Sequence, residues 1–270
     1  MRFEAPAREL VPAAAFRHPA YAGFAHACLL HSHEWPALAT LNKALGGARH
    51  LTSGRALRFV AQTPARLADG LHYEARIFET GLIATREGHW HDLFNALMWL
   101  DRFALKCAIN TAYVQEIRAG NTAHRSRAQY ALTHFDEAGA LVVLRDRSLL
   151  AQWDAHDWHG LLWRGRAQWA RDVRVFLFGH ALLEHFLVPE ILPVAKCLVV
   201  VGGDRDDAAI MQAVARDIEN RADLRDPQDL RPLPLVGLEG WHRDTSREDF
   251  YRTSPCFRPL RPGRRYPDPR

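Results

Sequence analysis

Between Thr85 and Asn110 the sequence runs TREGHWHDLFNALMWLDRFALKCAIN, which sets Arg86, His91, Asp92, Asn95, Lys106 and Asn110 along an apolar helical pattern. Polar groups beside a core-forming helix cost free energy unless something satisfies them, so they either brace the fold or form a site. Leu93, Leu97 and Leu100 recur at helical spacing. His91 and Asn95 are four apart and Asp92 and Asn95 three apart, so all three project from neighbouring positions near the N-terminal end of that helix. The dipole there favours an anionic ligand or an ionised Asp. A second helix from Leu105 to Arg118, ended by Gly120, puts Lys106 and Asn110 on one face. Downstream, His180 and Glu184 are four apart, the spacing that two metal ligands on a helix need. The same spacing would equally let Glu184 orient or neutralise His180.

Imidazole and carboxylate together suit a divalent Zn, Mn or Fe ion, which can polarise a substrate or activate water for hydrolysis. The candidate catalytic groups are His91, Asp92, His180 and Glu184, and the candidate metal ligands are these four with Asp136. Arg86, Asn95, Lys106, Asn110 and Arg258 would hold a small anionic substrate. A metal-free version uses His91 or His180 as general base, tuned by Asp92 or Glu184. There is no GxSxG elbow and no cysteine in a nucleophile setting, so covalent catalysis has no positive signal. Two non-catalytic readings stand beside the enzyme. One is an anion- or nucleotide-binding module lined by Arg86, Lys106 and Arg258. The other is a buried polar network in which Asp92, Asn95 and Asn110 cap and cross-brace helices.

Composition bounds these readings. A chain of 270 residues, 48% apolar and 24% charged, is that of an ordinary globular protein. No apolar run approaches the roughly 18–20 residues of a membrane span, and no signal-peptide pattern opens the chain, so we expect a cytoplasmic protein. Cys28, Cys107, Cys197 and Cys256 are widely spaced and form neither a zinc ribbon nor a disulfide framework. Of the net charge of +4, the last twelve residues, PLRPGRRYPDPR, carry four Arg and one Asp, leaving the body close to neutral. Nucleic acid is therefore a disfavoured partner, and the end of the chain reads as a solvated basic tail. The run from His26 to Glu34 holds His26, Cys28, His31 and His33, but matches no zinc pattern, and His31 and His33 cannot share a helix face.

The surrounding elements read as one α+β domain. Residues 1–54 form a helical and loop arm, 55–259 the core and 260–270 the tail. A small, mainly antiparallel sheet from 56–62, 71–79, 129–135, 140–144 and 196–201 packs against helices at 91–118, 166–187 and 206–220. Residues 130–135 and 140–144 read as a hairpin, with Asp136-Glu137-Ala138-Gly139 as its turn. AKCLVVVGGD is a buried-type strand with only a weak likeness to a nucleotide loop.

Five segments, TREGHWHDLFNALMWL, ALTHFDEAGALVV, FGHALLE, LPLVGLEGW and FYRTSPCFRP, in this order and spacing, resemble the motifs of the bacterial domain-of-unknown-function family 3025. The resemblance runs from about Arg55 to Pro259. It implies no activity, but it singles out Arg86, Trp90, His91, Asp92, Asn95, Lys106 and Asn110 in the first motif and its continuation. It adds Asp136, Glu137 and Gly139, then His180 and Glu184, and finally Gly240, Trp241 and Arg258. The chain lacks two prolines that the pattern leads one to expect, near Phe103 and before Gly240.

Overall fold

The computed structural model describes residues 3–120 and 124–270, so the first two residues of the expected N-terminal arm lie outside the described residues. At the centre is β3 (Gly139–Leu144), every residue of which is buried. It pairs antiparallel with β4 (Val173–Leu177) on one side. On the other side it pairs parallel with β5 (Val194–Val201), which in turn pairs antiparallel with β6 (Arg231–Pro234). The four-stranded sheet thus has the order β4-β3-β5-β6. Side chains alternate across a strand, and here both faces are covered. Ala140, Val142 and Leu144 enter one apolar core with Cys197 and Val199 of β5. Leu141 and Val143 enter the other with Leu198 and Val200.

The second core is closed by three helices. Phe103–Ala119 contributes Leu105, Ile109 and Ala112, Arg127–Ala138 contributes Ala131, Leu132 and Phe135, and Asp207–Glu219 contributes Ile210, Val214 and Ile218. The first core receives Leu93, Leu97 and Met98 of the helix Trp90–Asp101, with Phe16, Tyr21, Phe24 and Leu30 of the N-terminal segment. In chain order we label the helices that matter for the site α1 (Tyr73–Thr80), α2 (Trp90–Asp101), α3 (Phe103–Ala119), α4 (Arg127–Ala138) and α5 (His180–His185). Outside the main sheet, β1 (Arg58–Ala61) and β2 (Leu82–Thr85) form a parallel pair. Among the described residues, no helix is long and apolar enough to cross a membrane.

The α+β class stands, while several elements differ from expectation. Residues 71–79 are not a strand. His72 caps α1 by accepting from the Glu74 N–H, and Gly81, at φ 77°, ends it with a bond to the Ile77 carbonyl. The expected hairpin is a helix-to-strand junction. Ser126 Oγ accepts from Gln129 N while Gln129 Oε1 accepts from Ser126 N, a capping box that starts α4. The expected helix 166–187 is split into a short helix Arg166–Asp172, β4 and α5. Val173-Arg174-Val175-Phe176-Leu177 is a β-branched and aromatic run that fits a strand better than a helix. The main sheet is mixed: two of its three pairings are antiparallel, as expected, and the central β3–β5 pairing is parallel, so the sheet is not purely antiparallel. Helix α2 and helix α3 are separated by Arg102 alone, at φ −126° and ψ 36°.

Gly179, between β4 and α5, has backbone of ordinary φ but no free space. A Cβ there would lie 2.5 Å from both Ala138 Cα and Gly139 N. Gly179→Ala is therefore expected to lower stability by about 1–3 kcal/mol, the usual cost of overpacking. Gly23→Ala is the control, because its new methyl meets only the end of the Arg102 side chain at 3.3 Å. Urea titration should show a clearly lower midpoint for the first variant and a far smaller shift for the second.

Candidate functional site

Three helices deliver one polar cluster. His91 lies in the first turn of α2, Glu137 in the last turn of α4 and His180 at the start of α5. The His91 and His180 rings meet edge to face, 4.4 Å between centroids, with their Nε2 atoms 3.0 Å apart. Glu137 Oε2 lies 3.3 Å from His180 Nε2 and 3.9 Å from His91 Nε2. One ligand atom from each of the three lies within 4.8 Å of the others. Behind each imidazole stands a carboxylate: Glu184 Oε2 is 3.4 Å from His91 Nδ1, and Asp136 Oδ2 is 3.8 Å from His180 Nδ1. The His180 side chain is only 4% exposed, whereas Glu137 is 41% exposed and His91 29%, so the cluster opens to solvent along that edge.

The two imidazoles are driven in opposite directions. Burial pushes the His180 pKa down to about 3, against the pull of the Asp136 charge, so this ring stays neutral. Burial also acts on His91. There it is outweighed by the bond to Glu184 and by the charges of Glu137, Glu184 and Asp92, and the net direction is up. The Glu137 carboxyl is raised by burial and by Asp136, with His91 opposing. Asp136 is largely shielded from solvent, which would raise its carboxyl, yet the Lys106 ammonium, 2.6 Å away, holds it below the usual range. Lys106 is itself 2% exposed. Beyond it, Glu74 accepts from Asn110 Nδ2 at 2.6 Å, and burial pushes its carboxyl up to about 7 against the pull of Lys106.

Of the residues singled out from sequence, His91, His180 and Glu184 are brought together, with Asp136 directly behind them. Asp92 turns away from this group to Arg86, accepting from the Arg86 backbone N–H and from Nη2, each at 2.6 Å. Asn95 donates to the Tyr73 hydroxyl at 2.9 Å and Asn110 donates to Glu74, so both serve as braces to α1. Lys106 is committed to Asp136. The expectation that Arg86, Lys106 and Arg258 line one pocket is corrected. Arg258 lies on a separate groove formed by the C-terminal segment, where its carbonyl accepts from Trp158 Nε1 at 2.7 Å. Glu137, which approaches both rings, is absent from the ligand set expected from sequence. The assumed hairpin made it a turn residue, although the Ser126-x-x-Gln129 capping signal for a helix is present in the sequence.

The neutral state of His180 has a pH consequence. In the unfolded chain this ring takes up a proton below its ordinary value of 6.5, while in the folded chain it does not until about 3. Acid therefore draws the equilibrium toward the unfolded state across that window, and the stability contribution is complete above it. In chelator-treated protein, the stability difference between wild type and His180→Asn should shrink between pH 7 and pH 5. Denaturant titration at both values measures it.

The family model described as "Protein of unknown function (DUF3025)" matches residues 57–261. No curated protein and no solved structure matches the chain. The matched span contains every member of the cluster, from Glu74 through His91, Lys106, Asp136 and Glu137 to His180 and Glu184. The chain belongs to the DUF3025 family of proteins of unknown function.

Proposed function

We propose that the chain is a metal-dependent, hydrolase-like enzyme acting on a small anionic substrate, with one divalent Zn, Mn or Fe held by His91 Nε2, His180 Nε2 and the Glu137 carboxylate. The observation that carries this reading is the convergence of two imidazole nitrogens and a carboxylate from three helices, with a second carboxylate at the far side of each ring. Metal-bound imidazole commonly has such a partner at its other nitrogen, which sets tautomer and orientation. At metal–nitrogen distances near 2.0–2.1 Å, two ligands on a tetrahedral ion lie roughly 3.4 Å apart. The rings, now 3.0 Å apart, need only a small adjustment to reach that spacing.

Three protein ligands leave a coordination position for water, whose pKa such an ion lowers toward neutrality. Among the original candidates, this assigns ligation to His91 and His180, and orientation to Glu184 and Asp136. Asp92 holds Arg86, whose side chain remains 46% exposed and lies within the field of Glu184. Its outer N–H groups are the ones that would meet an anion.

A second reading rests on a specific observation: Lys106–Asp136 and Asn110–Glu74 are paired in the interior and tie α3 to α4 and α1. On that reading the whole cluster is a brace and His91 and His180 share a proton.

Elemental analysis of untagged protein purified without chelator separates the two. We expect close to one Zn, Mn or Fe per chain, lost in His91→Ala and in His180→Ala. Glu184→Gln, which leaves the three ligands in place, should weaken metal affinity by about 10–100-fold, the usual effect of removing an outer-shell partner. Folded protein that takes up none of the three metals after add-back would defeat the metal reading and leave the brace.

A further inference from the structure

A second concavity lies away from this cluster. It is a groove of about 1130 Å³ between the start of β5, β6 and the C-terminal segment 255–266. Lys196, Arg258, Arg261, Arg264 and Arg265 line it, and among the described residues its wall contains no Asp or Glu. Among the described residues none of the five is in an ion pair, although other arginines nearby are, as in Arg231–Asp154 and Arg127–Asp226. Asp226 and Asp229 lie beyond the rim, within the field of Arg264. Lys196 is half-buried, and its ammonium is disfavoured by burial, which Cys197 opposes, and by Arg261 and Arg264. His134, also on the wall, adds no negative charge. Pro232, Pro255, Pro259 and Pro262 stiffen the walls, which limits the ordering cost on binding.

The aromatic residues of the groove indicate what it does not take. Trp158 is 4% exposed. Tyr266 has the Arg264 guanidinium 4.3 Å and the Arg231 guanidinium 5.2 Å from its ring centre, and its hydroxyl is bonded to His156 at 2.9 Å. Neither the Trp158 nor the Tyr266 ring is thus left open as a platform for a stacked base, on which single-strand binding relies. Guanidinium forks and an ammonium without carboxylates instead suit phosphoryl oxygens.

We propose that this groove binds a small, multiply charged phosphate anion, gripped by Lys196 from the floor and by Arg258, Arg261 and Arg265 from the C-terminal segment. The site is independent of the metal reading, since none of its wall residues belongs to the cluster.

The test is calorimetric titration of the full chain with pyrophosphate, at ionic strength matched with sodium chloride. Saturable one-site binding is expected. Arg261→Gln and Arg265→Gln, both at exposed positions, should each weaken it about tenfold or more, the loss of one charge-assisted bond. His91→Ala should bind as wild type does, which separates groove binding from pyrophosphate captured at a metal. No saturable binding, equal binding by all the groove variants, or loss in His91→Ala alone would overturn the proposal. Tighter, steeply salt-dependent binding of a single-stranded RNA oligonucleotide would overturn it in favour of nucleic acid.

Discussion

The N–H groups of Phe178 and Gly179 both donate to the carbonyl of Gly139, at 3.0 and 2.8 Å, and the candidate site depends on that contact. Neither glycine has room for a side chain, Gly139 because of Phe135 in the helix that precedes it and Gly179 because of the facing backbone. A Cβ on Gly139 would sit 2.1 Å from the Phe135 carbonyl oxygen, and one on Gly179 would meet the Ala138–Gly139 backbone. Glu137 precedes one glycine by two residues and His180 directly follows the other. Their 3.3 Å approach is thus set by backbone packing at the end of α4 and the start of α5. Helix α2 then needs only to dock on α5 for His91 to complete the group, and the Tyr21 hydroxyl, bonded to the Leu183 carbonyl, ties the N-terminal segment to the same helix.

Buried charge is the second constraint. Desolvating an ion costs several kcal/mol, which only close pairing offsets. Lys106 meets that condition with Asp136, and its field also moderates Glu74. With Lys106 committed, the interior retains net acidity, and the imidazoles respond according to depth. His180, enclosed, remains neutral; His91, at the rim and bonded to Glu184, has its pKa raised. Adjacent titratable groups whose surroundings push their protonation apart are the arrangement from which acid–base and metal chemistry is built.

The cluster and the C-terminal groove differ in the sign of their charge, and the chain holds both with little net charge in its body. Helix α4 contributes to each, His134 to the groove wall and Asp136 with Glu137 to the cluster. The basic C-terminal segment is not wholly free of the core. The Arg270 N–H donates to the Val199 carbonyl at 3.2 Å, and its guanidinium reaches Asp223 at 2.7 Å. That return to β5 anchors the chain just beyond the segment that lines the groove.

Much of this architecture was legible in local sequence. Periodicity placed α2, α3 and the helix Asp207–Glu219, and apolar runs placed β3 and β5. The four-residue spacing of His180 and Glu184 fits one helical turn at the start of α5. YALTHF was ambiguous because a short run with alternating apolar residues fits a strand as readily as a helix. Gly139 resembles a turn glycine in sequence, but its φ of −81° is ordinary and the glycine is needed for space instead. What the sequence by itself determined was the family and the residue types of a polar cluster. Which of them meet was decided by tertiary packing alone. Periodicity records only what neighbours along the chain do, whereas His91, Glu137 and His180 join through the closure of backbone against backbone across the fold.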